Sequence, residues 1–416
     1  MRREKISAGR SINLALSVRG EHALKEVGLH KEVMRQAIPM PGRMIHSSDG
    51  DLTFLPYGKD KSEYINSVSR AGLNKTLMSA AEESGVEIIF NKKCAAIDFQ
   101  KCEIAFEDTV SQKTSRSSFK IAVAADGANS IVRAEMIRRP NVSYSQQFLA
   151  HGYKELTIPP HDDGSHRIEK NALHIWPRGD FMLIALPNPD GSFTCTLFLA
   201  YSGKYSFEKL NSAEDVKRFF EMHFPDARPL MPTLVEDFFT NPTGALVTVK
   251  CSSWRMDNKA VLLGDAAHAI VPFFGQGMNA AFEDCSEFNS CLEGFQGDWG
   301  KVFSAFEERR LLNANAIADM ALDNFIEMRD HTAAPKFHLK KQIEVALHKR
   351  FPERFIPKYS MVSFHRIPYA IVQNRGAIQE ELLNELCENV SDEMDVDWKK
   401  AEGSVVEKLE ILSGEQ

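Results

Sequence analysis

An acid at a strand end, a proline turn and a glycine-bracketed helix start follow one another in Val261-Leu-Leu-Gly-Asp-Ala-Ala-His-Ala-Ile-Val-Pro-Phe-Phe-Gly-Gln-Gly-Met-Asn-Ala-Ala-Phe-Glu-Asp-Cys285. Residues 261–263 read as a short buried strand. Asp265 then lies just past its carboxyl edge, where open α/β sheets hold ligand-binding groups. A carboxylate there can accept hydrogen bonds from ribityl hydroxyls. Pro272 turns the chain, and Gly275 and Gly277 let bare backbone approach a ring before a helix over 278–289. The N–H groups of Met278 and Asn279 in its first turn would face the pyrimidine edge of a flavin, where negative charge accumulates on reduction. Pro272, Phe273 and Phe274 form an apolar wall suited to excluding water. Leu-Leu-Gly-Asp-Ala alone fits an ordinary α/β turn, whereas the whole run reads as a flavin cradle. His268, in an Ala-Ala-His-Ala context, reads as a packed histidine.

A second Asp-Gly pair, Asp126-Gly127 in Ala124-Ala-Asp-Gly-Ala-Asn-Ser-Ile-Val-Arg133, again sits at a strand end before a helix. There is no G-x-G-x-x-G anywhere in the chain. Around these points the sequence predicts helices over 19–27, stopped by Gly28, and 74–84, stopped by Gly85. Strands are expected at 86–90, 97–107 and 119–124, with 109–118 a polar loop. From Tyr144 the texture changes to three alternating strands, 172–177, 181–187 and 192–201, joined by Arg-Gly-Asp and Asn-Pro-Asp-Gly turns. A helix is expected over 213–223, and the α/β texture resumes with a strand at 245–249. Beyond Trp299 the chain reads as helical, with Phe303, Phe306, Leu312, Ile317, Met320 and Leu322 on its apolar side. Between Glu380 and Gln416 twelve acids accompany three lysines, the pattern of a solvated helix and frayed end.

With 416 residues, 43% hydrophobic and 26% charged, the chain is long enough for two joined domains of ordinary globular composition. The net charge of −7 offers no phosphate-tracking surface, which argues against a nucleic-acid partner. Seven cysteines without CxxC spacing indicate neither a disulfide framework nor a zinc site. No metal is expected. No uncharged apolar run approaches membrane-spanning length, so the chain reads as soluble.

The Asp126-Gly127 and Gly264-Asp265 pairs together resemble the class A flavoprotein monooxygenases, single-component enzymes that hydroxylate activated aromatic rings. Further segments are similar to the branch acting on L-kynurenine: Gly9 to Ser17, Ile38-Pro-Met-Pro-Gly-Arg-Met-Ile-His-Ser47, Tyr64-Ile-Asn-Ser-Val-Ser-Arg70, Tyr144-Ser-Gln-Gln, His151-Gly-Tyr-Lys-Glu-Leu-Thr-Ile-Pro-Pro160, His174-Ile-Trp-Pro177 and Asn324-Phe-Ile-Glu-Met-Arg329. The resemblance covers about residue 7 to about residue 372. It implies a mixed α/β fold: a Rossmann-like FAD-binding domain (1–42, 65–140, 245–298), interrupted by an antiparallel-sheet substrate domain (43–64, 141–244). A C-terminal helical region (299–375) and an acidic tail (376–416) follow.

The same resemblance implies reduction of FAD by NADPH, capture of O2 as a flavin C4a-hydroperoxide and transfer of the distal oxygen to C3 of L-kynurenine. It makes Arg43 and Tyr57 the clamp for the substrate carboxylate and sets Asn324 and Tyr359 in the same pocket. Arg70 is placed against the flavin phosphates or ring edge, and Ala15 and Cys94 at backbone contacts. Asp126 is placed near the dinucleotide while bonding nearby backbone, and Asp265 on the ribityl chain. No general base is nominated. At both ends the sequence departs from the family pattern. It starts where the family's first βαβ unit should have finished, as a truncated or alternatively started product would, or a gene reading that omits an upstream exon. It ends in acidic residues where the animal members carry a hydrophobic segment for the outer mitochondrial membrane. A flavin-poor, non-catalytic fragment and a hydroxylase of another aromatic substrate therefore stay open as alternatives.

Overall fold

The computed structural model describes residues 13–60, 62–327, 335–388 and 390–412; Gly9 to Ile12 and Met328-Arg329 of the quoted motifs lie outside the described residues. The flavin-cradle strand is Ala260–Leu262, whose three side chains are fully buried, and it ends because Gly264 turns at φ 56°. It pairs in parallel with Ala122–Ala124 and antiparallel with Arg255–Met256. Asp126 and Asp265 thus follow the carboxyl ends of two adjacent parallel strands. On the outer side of Ala122–Ala124 no strand lies among the described residues, and Val123 is 47% exposed. The helices Gly277–Gly294 and Trp299–Ile326 close the inner side over Val132, Trp254, Phe303 and Phe306. Leu312 is exposed, because it falls out of phase with Phe303 and Phe306 on the 3.6-residue repeat.

The larger layer is a seven-stranded sheet in the order Gly244–Cys251, Tyr144–Ile158, Phe193–Ala200, Met182–Pro187, Leu173–Pro177, Gly42–His46 and Leu52–Pro56. Its one parallel pair is Leu173–Pro177 with Gly42–His46, which attaches the hairpin ending at Pro56 to the meander. The strand expected at 245–249 belongs to this sheet, running along Tyr144–Tyr153, and does not resume the α/β region. Its alternating valines suit either sheet, and only pairing across the chain decides.

Three local expectations are corrected. Residues 86–90 are not a strand: Val86 and Ile89 are exposed and have no ladder partner. Thr114–Ser118, expected as loop, is the third strand of a meander with Lys92–Asp98 and Glu103–Asp108; exposed on both faces, it shows no alternation to read. The acidic tail is also more than a solvated end. Tyr369–Leu386 and Trp398–Lys408 bury Leu382, Leu383, Val405 and Leu409 against Ile343 and Leu347 of the helix Pro335–Arg350. The helix read over 213–223 is observed as Ala213–His223, started by the Ser212 side chain. Among the described residues no helix is long and apolar enough to cross a membrane.

Candidate active site

Arg43 lies on Gly42–His46, and Tyr57 follows the paired strand, its N–H donating to the Pro41 carbonyl at 3.0 Å. The hairpin brings the two side chains together, with the guanidinium 5.1 Å from the Tyr57 ring centroid. Tyr359, on the helix Lys358–Ser363, closes the group. Its ring stands 4.8 Å from the guanidinium and 4.9 Å from Tyr57, stacked at 12°. Phe274 extends the stack, 5.6 Å beyond Tyr359.

Nε of Arg43 and the hydroxyl of Tyr57 are both buried, and neither has a hydrogen-bond partner of good geometry among the described residues. Each such orphan costs about 1–3 kcal/mol, so a pair of them side by side marks a place built for an acceptor. Burial pushes the Tyr57 phenol well above its ordinary range, with Tyr359 adding and Arg43 opposing, so it stays a donor at neutral pH. Burial acts against the Arg43 charge, but Tyr57, Tyr359 and Glu327 outweigh it and the guanidinium stays charged. A carboxylate fits this pair of donors.

Asn324 is buried on the long helix and donates from Nδ2 to the Phe273 carbonyl at 2.6 Å, while Phe325 stacks on Phe273 at 4.2 Å. It therefore holds the Pro272–Phe274 wall, in which Phe273 and Phe274 are buried and Pro272 is exposed. Glu327 was not singled out from the sequence. Burial would raise its carboxyl, but Lys341, 3.7 Å away, with Lys358 and Arg43 holds it below the ordinary range. Its spacing from Asn324 on one helix face was the available signal.

The strand, turns and helix start of residues 260–294 form as the sequence predicts. Asp265 is exposed at the start of the helix Asp265–His268. At Gly264 a side chain would combine positive φ with a Cβ 3.2 Å from Ala281, so this turn requires glycine. Gly275 adopts the left-handed conformation at φ 68°, within close reach of Ala15. No side chain caps the helix Gly277–Gly294, which leaves its N-terminal amides to a ligand. The side chain of Asn279 is fully engaged, accepting from Ser17 N and donating to the Ala15 and Gly275 carbonyls, so it can offer only backbone. Met278 is half-buried beside Leu16 and Leu24.

The remaining cofactor candidates lie on other elements. Asp126 is exposed and accepts from Ile131 N at 2.8 Å and Val132 N at 3.3 Å, the structural role of an acid starting a helix. Cys94 is its neighbour: burial first, then the Asp126 charge, raises the thiol. Arg70 is exposed at the start of the helix Arg70–Glu83, where Tyr153 and Glu155 feel its charge.

Behind the cradle lies a charged network that the sequence reading missed. Asp284 accepts from Gly264 N at 2.9 Å, His268 at 2.6 Å and Arg310 Nε at 2.7 Å. Arg310 also reaches Glu283 at 2.5 Å, and Glu283 takes Arg19. Burial works to raise Asp284, yet His268 and Arg310 bring it down to about 2. His268 is therefore a packed residue that fixes the cradle turn. Adjacent acids within a mostly apolar helix were the legible clue.

The glycine-only turn, the exposed acid and the uncapped helix start fit a flavin ring and ribityl chain. Residues 6–179 and 230–320 match the FAD binding domain family. The chain is 48% identical over 402 residues to the kynurenine 3-monooxygenase of Myxococcus xanthus (strain DK1622), covering 96% of this chain and 86% of that protein. It is 46% identical over 396 residues to the kynurenine 3-monooxygenase of Dictyostelium discoideum, covering 92% and 85%. The fold is similar to the tetrameric form of 2-methyl-3-hydroxypyridine-5-carboxylic acid oxygenase, with a TM-score of 0.65 at 17% identity over 83% of this chain and 86% of that one. A location at the mitochondrial outer membrane, which the family resemblance implies, draws no support from a bacterial protein among the relatives.

Proposed function

The chain belongs to the kynurenine 3-monooxygenase family of FAD-binding hydroxylases and is a flavin monooxygenase, and from that premise we propose that it hydroxylates L-kynurenine at C3 with NADPH as reductant and O2 as co-substrate. This places it in tryptophan degradation, toward quinolinate and NAD synthesis. The observation that carries the substrate reading is the pair of buried donors without partners among the described residues, Arg43 Nε and Tyr57 Oη, beside the Tyr359–Phe274 stack. Arg43 and Tyr57 grip the α-carboxylate of the amino acid, and the Tyr359–Phe274 stack lines one side of the place its aromatic ring takes. Asn324 holds the Phe273 turn that walls the ring from water.

Asp265 would hold the ribityl hydroxyls of FAD, the amides at Gly277 to Asn279 its pyrimidine edge, and Ala15 the backbone side. Arg70, Cys94 and Asp126 serve the rest of the dinucleotide. When bound, reduced FAD supplies the activation of O2. The ortho amino group already activates the substrate ring, so the protein's work is to orient it and keep water out.

The test is NADPH oxidation stimulated by L-kynurenine, with 3-hydroxykynurenine identified as product. Arg43→Ala should raise KM at least tenfold, and Arg43→Lys should not restore it, because a point charge cannot reproduce the fork. An unchanged KM removes Arg43 from the clamp. A second reading, a chain that binds the substrate but retains flavin poorly, is favoured by one feature: Asp126 is engaged by its own helix. Purified protein without flavin absorbance, and not becoming yellow with added FAD, supports that reading.

A further inference from the structure

The segment that carries Tyr359 has a fastening of its own. After the helix Lys358–Ser363 the chain turns and enters the helix Tyr369–Leu386. Val362 and Ile367 stand on either side of that turn, both buried, and no backbone N–H reaches either carbonyl among the described residues. A short helix leaves its last carbonyls without partners, and the turn supplies none. Both are taken by Arg19, 343 and 348 positions earlier in the chain: its Nε donates to the Val362 carbonyl at 3.4 Å and its Nη2 to that of Ile367. Its Nη1 pairs with Glu283 on the cradle helix Gly277–Gly294. The guanidinium lies 3.9 Å from the centroid of the Tyr369 ring, and Arg19 is 1% exposed.

Three acceptors in three directions suit a guanidinium, whose N–H groups point outward from three atoms in one plane. An ammonium carries its hydrogens on a single atom and cannot span the same acceptors. The buried charge is balanced. Burial works to raise the Glu283 carboxyl, but Arg310 and Arg19 hold it below the ordinary range, so it faces Arg19 as an anion. One more polar tie joins the segment to the cradle: the Tyr369 hydroxyl donates to Gln276 Oε1 at 3.0 Å, next to Gly277. At the segment's other end Gln379 donates to the Ile356 carbonyl at 2.8 Å, a bond that stays within the C-terminal helices. Tyr359 stands one helical turn before Val362, so the place where Arg19 grips the chain decides where that ring stands.

We propose that Arg19 is a positioning residue: by fastening the turn after Lys358–Ser363 to the cradle helix it sets the Tyr359 ring against Arg43 and Tyr57, and substrate affinity depends on that placement. The affinity part rests on the L-kynurenine reading above. Enclosed by two carbonyls, Glu283 and the Tyr369 ring, Arg19 acts on the substrate only through Tyr359. Without the fork the carbonyls of Val362 and Ile367 are buried and unpaired. Such groups are costly, so the turn shifts until water or another donor reaches them. The short helix moves with it, and Tyr359 leaves its stack on Tyr57.

The decisive variant is Arg19→Lys, which keeps a charge beside Glu283 and loses the fork. Arg19→Met, which keeps the length of the stem and leaves Glu283 to Arg310, stands in for it if the lysine form does not fold. The full chain is prepared with fluorotyrosine at its eight tyrosines, and the Tyr359 fluorine signal is assigned by its loss in Tyr359→Phe. In Arg19→Lys the signals of Tyr359, Tyr57 and Tyr369 move while those of Tyr153, Tyr201 and Tyr205 stay, and Kd for L-kynurenine, measured by calorimetry on unlabelled protein, rises about tenfold. Tyr359→Ala also weakens binding, and adding Arg19→Lys to it changes Kd less than about twofold, because the ring through which Arg19 acts is gone. A Tyr359 signal that stays in place overturns the proposal, as does a general shift of all eight signals or an unchanged Kd. So does the same tenfold loss in the Tyr359→Ala background, or failure of both Arg19 variants to fold, which would give Arg19 to the fold as a whole. If no form binds L-kynurenine while the Tyr359 signal still follows Arg19, the substrate reading fails and the placement of Tyr359 by Arg19 stands.

Discussion

Tyr57→Phe separates a hydroxyl kept for a ligand from one that holds the protein together. In the free protein the phenol is buried, without a hydrogen-bond partner of good geometry among the described residues, and stacked on Tyr359 at 4.9 Å. Removing the oxygen keeps the ring and the stack while abolishing a desolvation penalty of about 1–3 kcal/mol. The ligand-free variant should therefore melt at or above the wild-type temperature, against the usual direction of core substitutions. Substrate binding should weaken, because a hydrogen bond to a carboxylate contributes about 1.5–3 kcal/mol, a rise in KM of roughly ten- to a hundredfold with kcat little changed. The assays are thermal melts without substrate and steady-state kinetics with L-kynurenine. A variant that melts lower and binds normally would refute the reasoning, since the hydroxyl would then serve the fold.

Asp284→Asn tests the network behind the cradle. Removing the buried charge that both Arg310 Nε and His268 contact, with Glu283 left as the other anion on Arg310, should cost about 3 kcal/mol. The wild-type carboxyl is depressed to about 2, so its contribution is complete above the ordinary carboxylate range and is lost as pH falls from about 4 to about 2. Melting temperature against pH should show this acid limb in the wild type and lose part of it in the variant. Asp265→Ala, at an exposed position, should weaken FAD binding at least tenfold in a fluorescence titration while leaving the flavin-free melt unchanged. Equal FAD affinity would remove the carboxylate from the ribityl site.

What the sequence made legible was what neighbouring residues decide. The Gly28 and Gly85 helix stops are seen at φ 73° and 85°, and the Gly264 turn needs no distant contact to be recognised. The clamp became legible through family likeness, because nothing in a Pro-Gly-Arg loop announces that Arg43 will meet Tyr359 across the fold. The hydrogen-bonded trio His46, His174 and Asp226 stayed invisible as a unit. The first pair is separated by 128 positions and His46 from Asp226 by 180; the parallel seam joins the first two, and the turn after the helix Ala213–His223 brings in Asp226. Thr114–Ser118 and the 245–249 strand were misplaced for the same reason: strand pairing is non-local, and neither a wholly polar segment nor the alternating valines at 247 and 249 say which sheet the strand joins. In the tail the abundance of acids masked Leu382, Leu383, Val405 and Leu409, whose helical spacing was present but outweighed by composition.

The most direct measurement is product analysis of the purified chain supplied with FAD, NADPH and L-kynurenine. The account predicts a flavin absorption band, NADPH consumption accelerated by the amino acid, and 3-hydroxykynurenine formed in step with it, with the acceleration lost at the same substrate concentration in Arg43→Ala. A protein that binds FAD but consumes NADPH at the same rate with or without L-kynurenine, forming only H2O2, would contradict the assignment of the Arg43–Tyr57 pocket.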